Sequence, residues 1–305
     1  MQTNIPSADD LGVILGGGGV AGLAWEIGLL TGIEEAGVDL RQAREVIGTS
    51  AGAFAAVAWL GHSSMDVNYQ LQLANAVAEV SASFSLELAE QYKNVFEATT
   101  GNPKLAGRLL GQIARKAKTI EPAMRFAIVR DRLGIAEWPD AEWPDLRLSI
   151  TAIDADTGDL VKLRHTSGLT LEEATAASGA IAGVWPLVEA GGRSWIDGGM
   201  VSAANTALAS AFSRSVVIAP APRNLTGLTV QEEVKSVMDD TDIFLIVPDD
   251  QSIEAIGDNP LDQTKRRPAA TAGRRQGLAV ATQLKAWLAE DYKTKEEVPQ
   301  ASGSL

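Results

Sequence analysis

The chain has no cysteine and only two histidines, His62 and His165. Disulfides, thiolate metal sites and a cysteine nucleophile are therefore excluded, and imidazole chemistry has two candidates at most. Basic residues are outnumbered 39 to 26, a net charge of −13, which argues against nucleic acid as a partner because phosphate binding needs a basic surface. No apolar run approaches the roughly 20 residues that span a bilayer. The first ten residues lack the basic stretch of a signal peptide, so a cytoplasmic protein is expected. Hydrophobic residues at 46% and charged residues at 21% are ordinary for a globular protein, so wholesale disorder is excluded. A chain of 305 residues can bury a full core.

The most informative stretch is Val46-Ile47-Gly48-Thr49-Ser50-Ala51-Gly52. Two β-branched apolar residues lead into Gly-x-Ser-x-Gly, and Ala53 to Leu60 reads as a buried helix. A strand entering a helix through such a turn holds the serine hydroxyl exposed at the strand end, under the helix dipole. The glycines are needed where a Cβ would collide with strand or helix. The plain alternative is a Ser-Gly loop between two core elements.

A second glycine corner lies upstream. Leu11 to Leu15 reads as a buried strand running into Gly16-Gly17-Gly18-Gly19-Val20-Ala21-Gly22. A helix follows, with Leu23, Ile27, Leu30 and Ile33 along one face and Gly37 as its stop. Gly17-x-Gly19-x-x-Gly22 also fits a dinucleotide fingerprint, but that motif expects an acid at the end of the second strand. Here that strand ends in Thr49-Ser50. Beside Gly-x-Ser-x-Gly, a row of glycine N–H groups at a helix start can bind a developing oxyanion.

From His62 to Glu137 the pattern is helical without obvious strands, with Leu71, Ala74, Val77 and Ala78 at helical spacing. Residues 104–120 carry Lys104, Arg108, Arg115, Lys116 and Lys118 with no acid, and Leu105, Leu109, Ile113 and Ile120 along one side. Such a segment either touches an anionic membrane surface or packs over the core with its charges in water. A tandem Ala-Glu-Trp-Pro-Asp at 136–145 reads as an extended linker. Leu146 to Ile153 alternates as a strand, and Leu160 to Arg164 returns as its hairpin partner. Thr170 and Glu173 have the spacing of a capping box, as do Thr229 and Glu232. Ser194 to Ile196, Val216 to Ile218 and Ile243 to Val247 read as strands, and residues 271–292 as a final helix. Apolar strands alternating with helices indicate an α/β fold of three layers, a parallel-dominated sheet covered by helices on both faces. The expected organisation is an arm over 1–10, one α/β domain over 11–292 with a mainly helical insertion at about 62–137, and a loose tail over 293–305.

Three elements end in glycine-rich corners: Gly16 to Gly22, Gly48 to Gly52, and Asp197-Gly198-Gly199. Ligands of α/β sheets bind outside the carboxyl ends of the strands, so a glycine loop, a serine and an acid can meet in one crevice. Their order, together with Ala177 to Pro186 ahead of Asp-Gly-Gly, resembles the patatin-like phospholipase family over about Leu11 to Leu288. The resemblance implies a patatin-like fold and a lipid acyl hydrolase, with Ser50 as nucleophile and Asp197 as base. It implies an oxyanion hole from the N–H groups of Gly18 and Gly19, aided by Ala51. The substrate it implies is a lipid or other ester, with peripheral membrane contact possible, and no metal or cofactor is called for. Two positions depart from the family: Ala21, where Arg or Lys is common, and Ala182, where proline is common. Neither histidine follows Asp197, so the serine–acid–histidine order of α/β-hydrolases is closed to this chain. His62 reads as a helix-end residue and His165 as a surface residue. A nucleotide-binding protein using the Gly16 to Gly22 loop, and a catalytically silent lipid binder, are the alternatives.

Overall fold

Residues 10–61, 63–74, 84–133, 142–239 and 241–290 are described by the structure, a computed structural model. Strand β1 (Leu11–Leu15) enters α1 (Gly19–Glu35), and β2 (Glu45–Thr49) enters α2 (Ala51–Leu60). Parallel pairing places Val13 opposite Val46 and Leu15 opposite Gly48, as a strand–helix–strand unit requires. Among the described residues, four helices follow before the next strand: α3 (Met65–Leu73), α4 (Leu86–Ala98), α5 (Pro103–Lys116) and α6 (Pro122–Leu133). The rest comprises β3 (Leu148–Asp154), β4 (Leu160–Leu163), α7 (Leu171–Ser178), β5 (Val188–Ala190), β6 (Arg193–Asp197), β7 (Arg214–Ile218), α8 (Val230–Lys235), β8 (Asp242–Ile246), α9 (Asp250–Ile256) and α10 (Arg266–Ala289). The hydrogen-bonded path through the sheet runs β5-β6-β3-β2-β1-β7-β8, with β4 attached to β3. Strands β3, β2, β1, β7 and β8 are mutually parallel, while β4, β5 and β6 enter antiparallel.

Alternation along the strands sorts the core into two sides. Val13, Leu15, Val46, Leu148, Ile150 and Ala152 share one cluster with residues of α1, α2, α7 and α10. The intervening Ile14, Ile47 and Val217 pack with Phe212, Val230 and Val234 on the opposite face. There, Ile153 and Ile196 join Leu88, Tyr92 and Leu110 of α4 and α5. The sheet is thus the middle of three layers. Among the described residues, no helix is long and apolar enough to cross a membrane.

Some sequence expectations needed correction. Helix α1 is buried all round from Val20 to Ile33, including Glu26 and Thr31, whereas its spacing predicts one buried face. The reason is α10, which lies directly against it. A Cβ on Gly28 would stand 2.1 Å from the Ala270 carbonyl oxygen, and one on Gly277 would stand 2.2 Å from that of Leu29. Gly28, Gly32, Gly273 and Gly277 therefore let two backbones touch, and any side chain there would force the helices apart. In α3, Leu71 is exposed while Met65, Asn68 and Tyr69 are buried.

Helix α5 likewise buries Ala106, Gly107, Leu110, Gly111 and Ala114, one position on from the predicted Leu105, Leu109 and Ile113. Its small residues seat it against the β3–β4 turn, where a Cβ on Gly111 would meet the Ala155 carbonyl oxygen at 2.3 Å. Two of its cations pair with that turn, Lys104 with Asp159 at 2.8 Å and Arg115 with Asp156 at 2.6 Å. Both capping boxes form. The expected arm apart from Asp10, the expected tail, His62 and most of the tandem segment lie outside the described residues.

Candidate active site

The corner after β2 is built by what its neighbours exclude. A Cβ on Gly48 would lie 2.6 Å from the Ala53 Cα, and one on Gly52 would lie 2.2 Å from the Leu15 carbonyl oxygen. Gly52 N–H donates to the Gly16 carbonyl at 3.0 Å, tying this corner to the first glycine loop. Between the two glycines, Ser50 adopts φ 51° and ψ −117° as the residue preceding α2. A non-glycine residue there carries backbone strain, which persists only where surrounding contacts over-determine it. One such contact is the Ser50 N–H, which donates to Ser178 Oγ at 2.7 Å.

Asp197 reaches Ser50 through the pairing of β3. Ile150 and Thr151 pair with both β2 and β4, so those two strands occupy opposite edges of β3. Ala152 and Ile153 pair with both β4 and β6, so β6 lies on the edge that β2 has just left. Thr49 is opposite Thr151, and Asp197 is opposite Ala152. Strands β2 and β6 therefore run toward each other along one edge of β3 and end at adjacent positions. Gly198 seals the junction, since a Cβ there would lie 2.5 Å from the Thr151 carbonyl oxygen. Thr49 Oγ1 and Thr151 Oγ1 are hydrogen-bonded at 2.7 Å, and Asn205 Nδ2 donates to both Thr49 Oγ1 and the Gly198 carbonyl.

At this junction Ser50 Oγ donates to Asp197 Oδ2 at 2.7 Å. The Gly199 N–H donates to the other carboxylate oxygen, also at 2.7 Å. Ser50 is 8% and Asp197 3% exposed. Burial pushes the Asp197 carboxyl up to about 6, while the hydrogen bonds from Ser50 and Gly199 and the Arg125 charge pull the other way. A carboxylate so placed is a stronger base than one in water.

The first glycine loop closes the third side. Gly16 N–H donates to the Ile218 carbonyl, Gly17 N–H to that of Ala203, Ala21 N–H to that of Pro260 and Gly22 N–H to that of Gly18. Among the described residues, the N–H groups of Gly18, Gly19 and Ala51 take no part in the backbone bonds that hold this loop. The loop is clamped by two prolines: a Cβ on Gly18 would lie 2.6 Å from Pro220 Cβ, and one on Gly19, at φ +64°, 2.6 Å from the Pro260 carbonyl oxygen. Ala21 is fully buried, as is Ala182, whose carbonyl accepts from the Tyr92 hydroxyl.

A narrow cleft of about 30 Å³ opens over Ser50. Gly19, Ala51, Phe54 and Ile181 line it, as do Arg125 and Arg132 of α6. His165 is exposed in the turn after β4, beyond the pairing of Leu163 with Ile150, and takes no part in this site. The structure brings Ser50, Asp197 and all three glycine corners together. Sequence reasoning missed the support given by Asn205 and by Ser178, and the two cleft arginines. Arg125 and Arg132 are seven residues apart and so share a helix face, a spacing present in the sequence but without meaning until α6 has a neighbour.

The family model for patatin-like phospholipase matches residues 13–210. A search of the curated proteins finds no match. Among solved structures, VipD from Legionella pneumophila is 12% identical, covering 90% of this chain and 67% of VipD, with a TM-score of 0.43. ExoU, solved in complex with SpcU from the type III secretion system of Pseudomonas aeruginosa, is 20% identical, covering 88% of this chain and 53% of ExoU, with a TM-score of 0.31. A second structure of ExoU, a type III effector protein, gives 14% identity and a TM-score of 0.39, covering 91% of this chain and 53% of ExoU.

Proposed function

Because the chain belongs to the patatin-like phospholipase family, we propose that it hydrolyses lipid carboxylic esters, with Ser50 as nucleophile and Asp197 as the only side-chain base. The observation that carries this reading is the buried 2.7 Å hydrogen bond from Ser50 Oγ to Asp197 Oδ2, beside N–H groups left for an oxyanion. As Ser50 Oγ attacks the ester carbonyl carbon, its proton passes to Asp197. The carbonyl oxygen becomes an oxyanion held by the N–H groups of Gly18, Gly19 and Ala51. Collapse expels the alcohol, which takes the proton from Asp197, and leaves the acyl group on Ser50. Asp197 then deprotonates a water that attacks the acyl-enzyme, and the carboxylic acid departs as Ser50 recovers its proton.

A carboxylate is a weaker base than imidazole, and two features offset that. Burial raises the Asp197 carboxyl to about 6, closer to the working pH of a general base. The strained Ser50 backbone holds the hydroxyl at the start of α2, where the helix dipole favours developing negative charge. The nucleotide-binding alternative loses ground here, because four N–H groups of the Gly16 to Gly22 loop are already engaged by backbone carbonyls.

A fluorophosphonate probe and short p-nitrophenyl esters test the reading together. Labelling confined to Ser50, with turnover abolished in Ser50→Ala, is the expected result. A folded protein that neither labels nor turns over would leave a silent lipid binder. As for peripheral membrane contact, we propose that it runs through the exposed Arg108, Lys116 and Lys118 of the α5 region, and salt-sensitive binding to anionic vesicles tests it.

A further inference from the structure

Asp197 is followed by Gly198 and Gly199, the central residues of a turn in which the Met200 N–H donates to the Asp197 carbonyl at 3.3 Å. The peptide joining the two glycines is the one whose N–H, at Gly199, donates to Asp197 Oδ1 at 2.7 Å. The carbonyl of that same peptide, at Gly198, accepts from Asn205 Nδ2 at 3.0 Å. In a trans peptide the N–H and C=O point in opposite directions. Asn205 and Asp197 therefore hold the two ends of one peptide dipole.

This peptide is one that needs holding. The type I and type II forms of a turn differ in the orientation of the central peptide, and type II needs positive φ at the third residue. Gly199 is not at positive φ, but a glycine can take it without steric penalty. Turned over, the peptide would aim its carbonyl oxygen, in place of its N–H, toward the Asp197 carboxylate. Asn205 is suited to prevent that. It is 5% exposed, and its backbone is left-handed, with φ 48° and ψ 44°, which asparagine tolerates better than most residues. Its Nδ2 has two hydrogens, and its second acceptor is Thr49 Oγ1 at 3.1 Å. Glycine would fit the backbone and supply no amide. The Asn205 N–H donates to Ser202 Oγ at 2.9 Å, and Ser202 Oγ donates to Glu233 of α8 at 3.0 Å.

We propose that Asn205 is a positioning residue for the base: by holding the Gly198 carbonyl, it keeps the Gly199 N–H aimed at the Asp197 carboxylate. A donor to the ionised carboxyl favours that form, so losing it makes Asp197 harder to ionise. The other groups that act on Asp197 are Ser50 and Arg125 of α6, which also favour the charged form. Tyr92 of α4 feels the Asp197 charge and donates its hydroxyl to the Ala182 carbonyl. The assignment rests on the reading of Asp197 as base.

The acid limb of kcat/KM on p-nitrophenyl butyrate tests it. Wild type has its midpoint at about 6. Asn205→Gly keeps the left-handed backbone and raises the midpoint by about one pH unit, as loss of a hydrogen bond to a charged group predicts. Its loss relative to wild type is then about tenfold greater at pH 5 than at pH 8. Thr49→Val removes the other acceptor of Nδ2, leaves the Gly198 bond, and keeps the wild-type midpoint. A loss equal at every pH, or the same shift in Thr49→Val, assigns Asn205 to packing alone and overturns the proposal while the hydrolase reading stands. If Asn205→Gly does not fold, Asn205→Ser replaces it, since its hydroxyl ends one bond short of the amide nitrogen.

Failure of the hydrolase reading would look different: no fluorophosphonate labelling and no ester turnover. The titration of Asp197 then decides, followed by NMR in protein carrying carbon-13 at its aspartate side-chain carboxyls. The signal missing from Asp197→Asn identifies the group. A midpoint raised by about one pH unit in Asn205→Gly supports the positioning, and an unmoved midpoint overturns it whether or not esters are cleaved.

Discussion

Two serine–carboxylate hydrogen bonds lie within the same sheet, and they differ in everything except length. Ser50 Oγ donates to Asp197 at 2.7 Å, and Ser149 Oγ donates to Glu45 at 2.6 Å. Glu45 also accepts from Lys162 and Arg164, and Arg164 Nε donates to Ser149 Oγ. Burial pulls the Glu45 carboxyl up, but the bonds from Ser149, Arg164 and Lys162 outweigh it and hold it below the usual range. At Asp197 the bonds from Ser50 and Gly199 and the nearby Arg125 charge are too weak to offset burial, and burial wins. Ser149 sits in a regular strand and Ser50 in a strained corner under a helix. A hydroxyl beside a carboxylate is therefore not a reactive pair by itself. Reactivity needs a base whose partners leave its carboxyl raised, a nucleophile held at a strained turn beside a cleft, and donors for the charge that develops.

The contrast is broken most severely by removing the groups themselves. Ser50→Ala and Asp197→Asn should each lower ester turnover by several orders of magnitude, because nucleophile and base act as a unit. Ser149→Ala should keep turnover within about threefold of wild type, because its buried hydroxyl bonds Glu45 at the end of β2 away from Ser50. Steady-state rates on p-nitrophenyl butyrate measure all three, and a Ser149→Ala loss comparable to that of Ser50→Ala would erase the distinction.

The next effect is on pH. On the proposed mechanism Asp197 must be ionised to take the Ser50 proton, so kcat/KM should fall about tenfold per pH unit below about 6. A profile flat to pH 4 would mean that the base is another group.

Stability should move in opposite directions at the two pairs. Between about pH 4 and about 6 the folded chain keeps the Asp197 proton that the unfolded chain has released, so stability falls as pH rises through that window. Asp197→Asn should consequently gain up to about 3 kcal/mol at pH 8. The lowered Glu45 carboxyl contributes stability above its unfolded value and loses it as pH falls. Glu45→Gln should cost about 1–3 kcal/mol at pH 8, since it strips charged donors of their acceptor. Urea unfolding of the two variants at pH 8 and pH 5 checks both signs. The smallest change expected is that of His62→Gln with His165→Gln, which should retain most of the activity. A severe loss from His165→Gln alone would replace the dyad with a triad.

What was legible in the sequence was what is encoded locally. Gly48 and Gly52 are needed by contacts within a strand–turn–helix, and Thr170 with Glu173 caps a helix within four residues, so both could be read in place. The β-branched runs of β1, β2 and β7 likewise declared buried parallel strands, whereas β8, at the sheet edge, is parallel as expected but only half-buried up to Ile246. The illegible parts depend on partners far along the chain. The burial of α1 on every side follows from Gly273 and Gly277, about 250 residues away, which make sense only once the helices touch. Strand β5 is three residues long and gives no periodicity to detect. Nor does the sequence show that Ser149 and Glu45, 104 positions apart, form a serine–carboxylate pair; only the register of β2 against β3 brings them together.

The head-on meeting of β2 and β6 also has a consequence in time. Ser50 and Asp197 are 147 positions apart, so at about 5–20 residues per second the serine leaves the ribosome about 7–30 s before its base. Throughout that interval the corner after β2 can form, but the hydroxyl has no proton acceptor. A slip of β6 by one residue would turn Asp197 to the opposite face of the sheet, with the same result. On the proposed mechanism, a half-made or misregistered chain would lack its base, and ester turnover would begin only when β3 has received both strands.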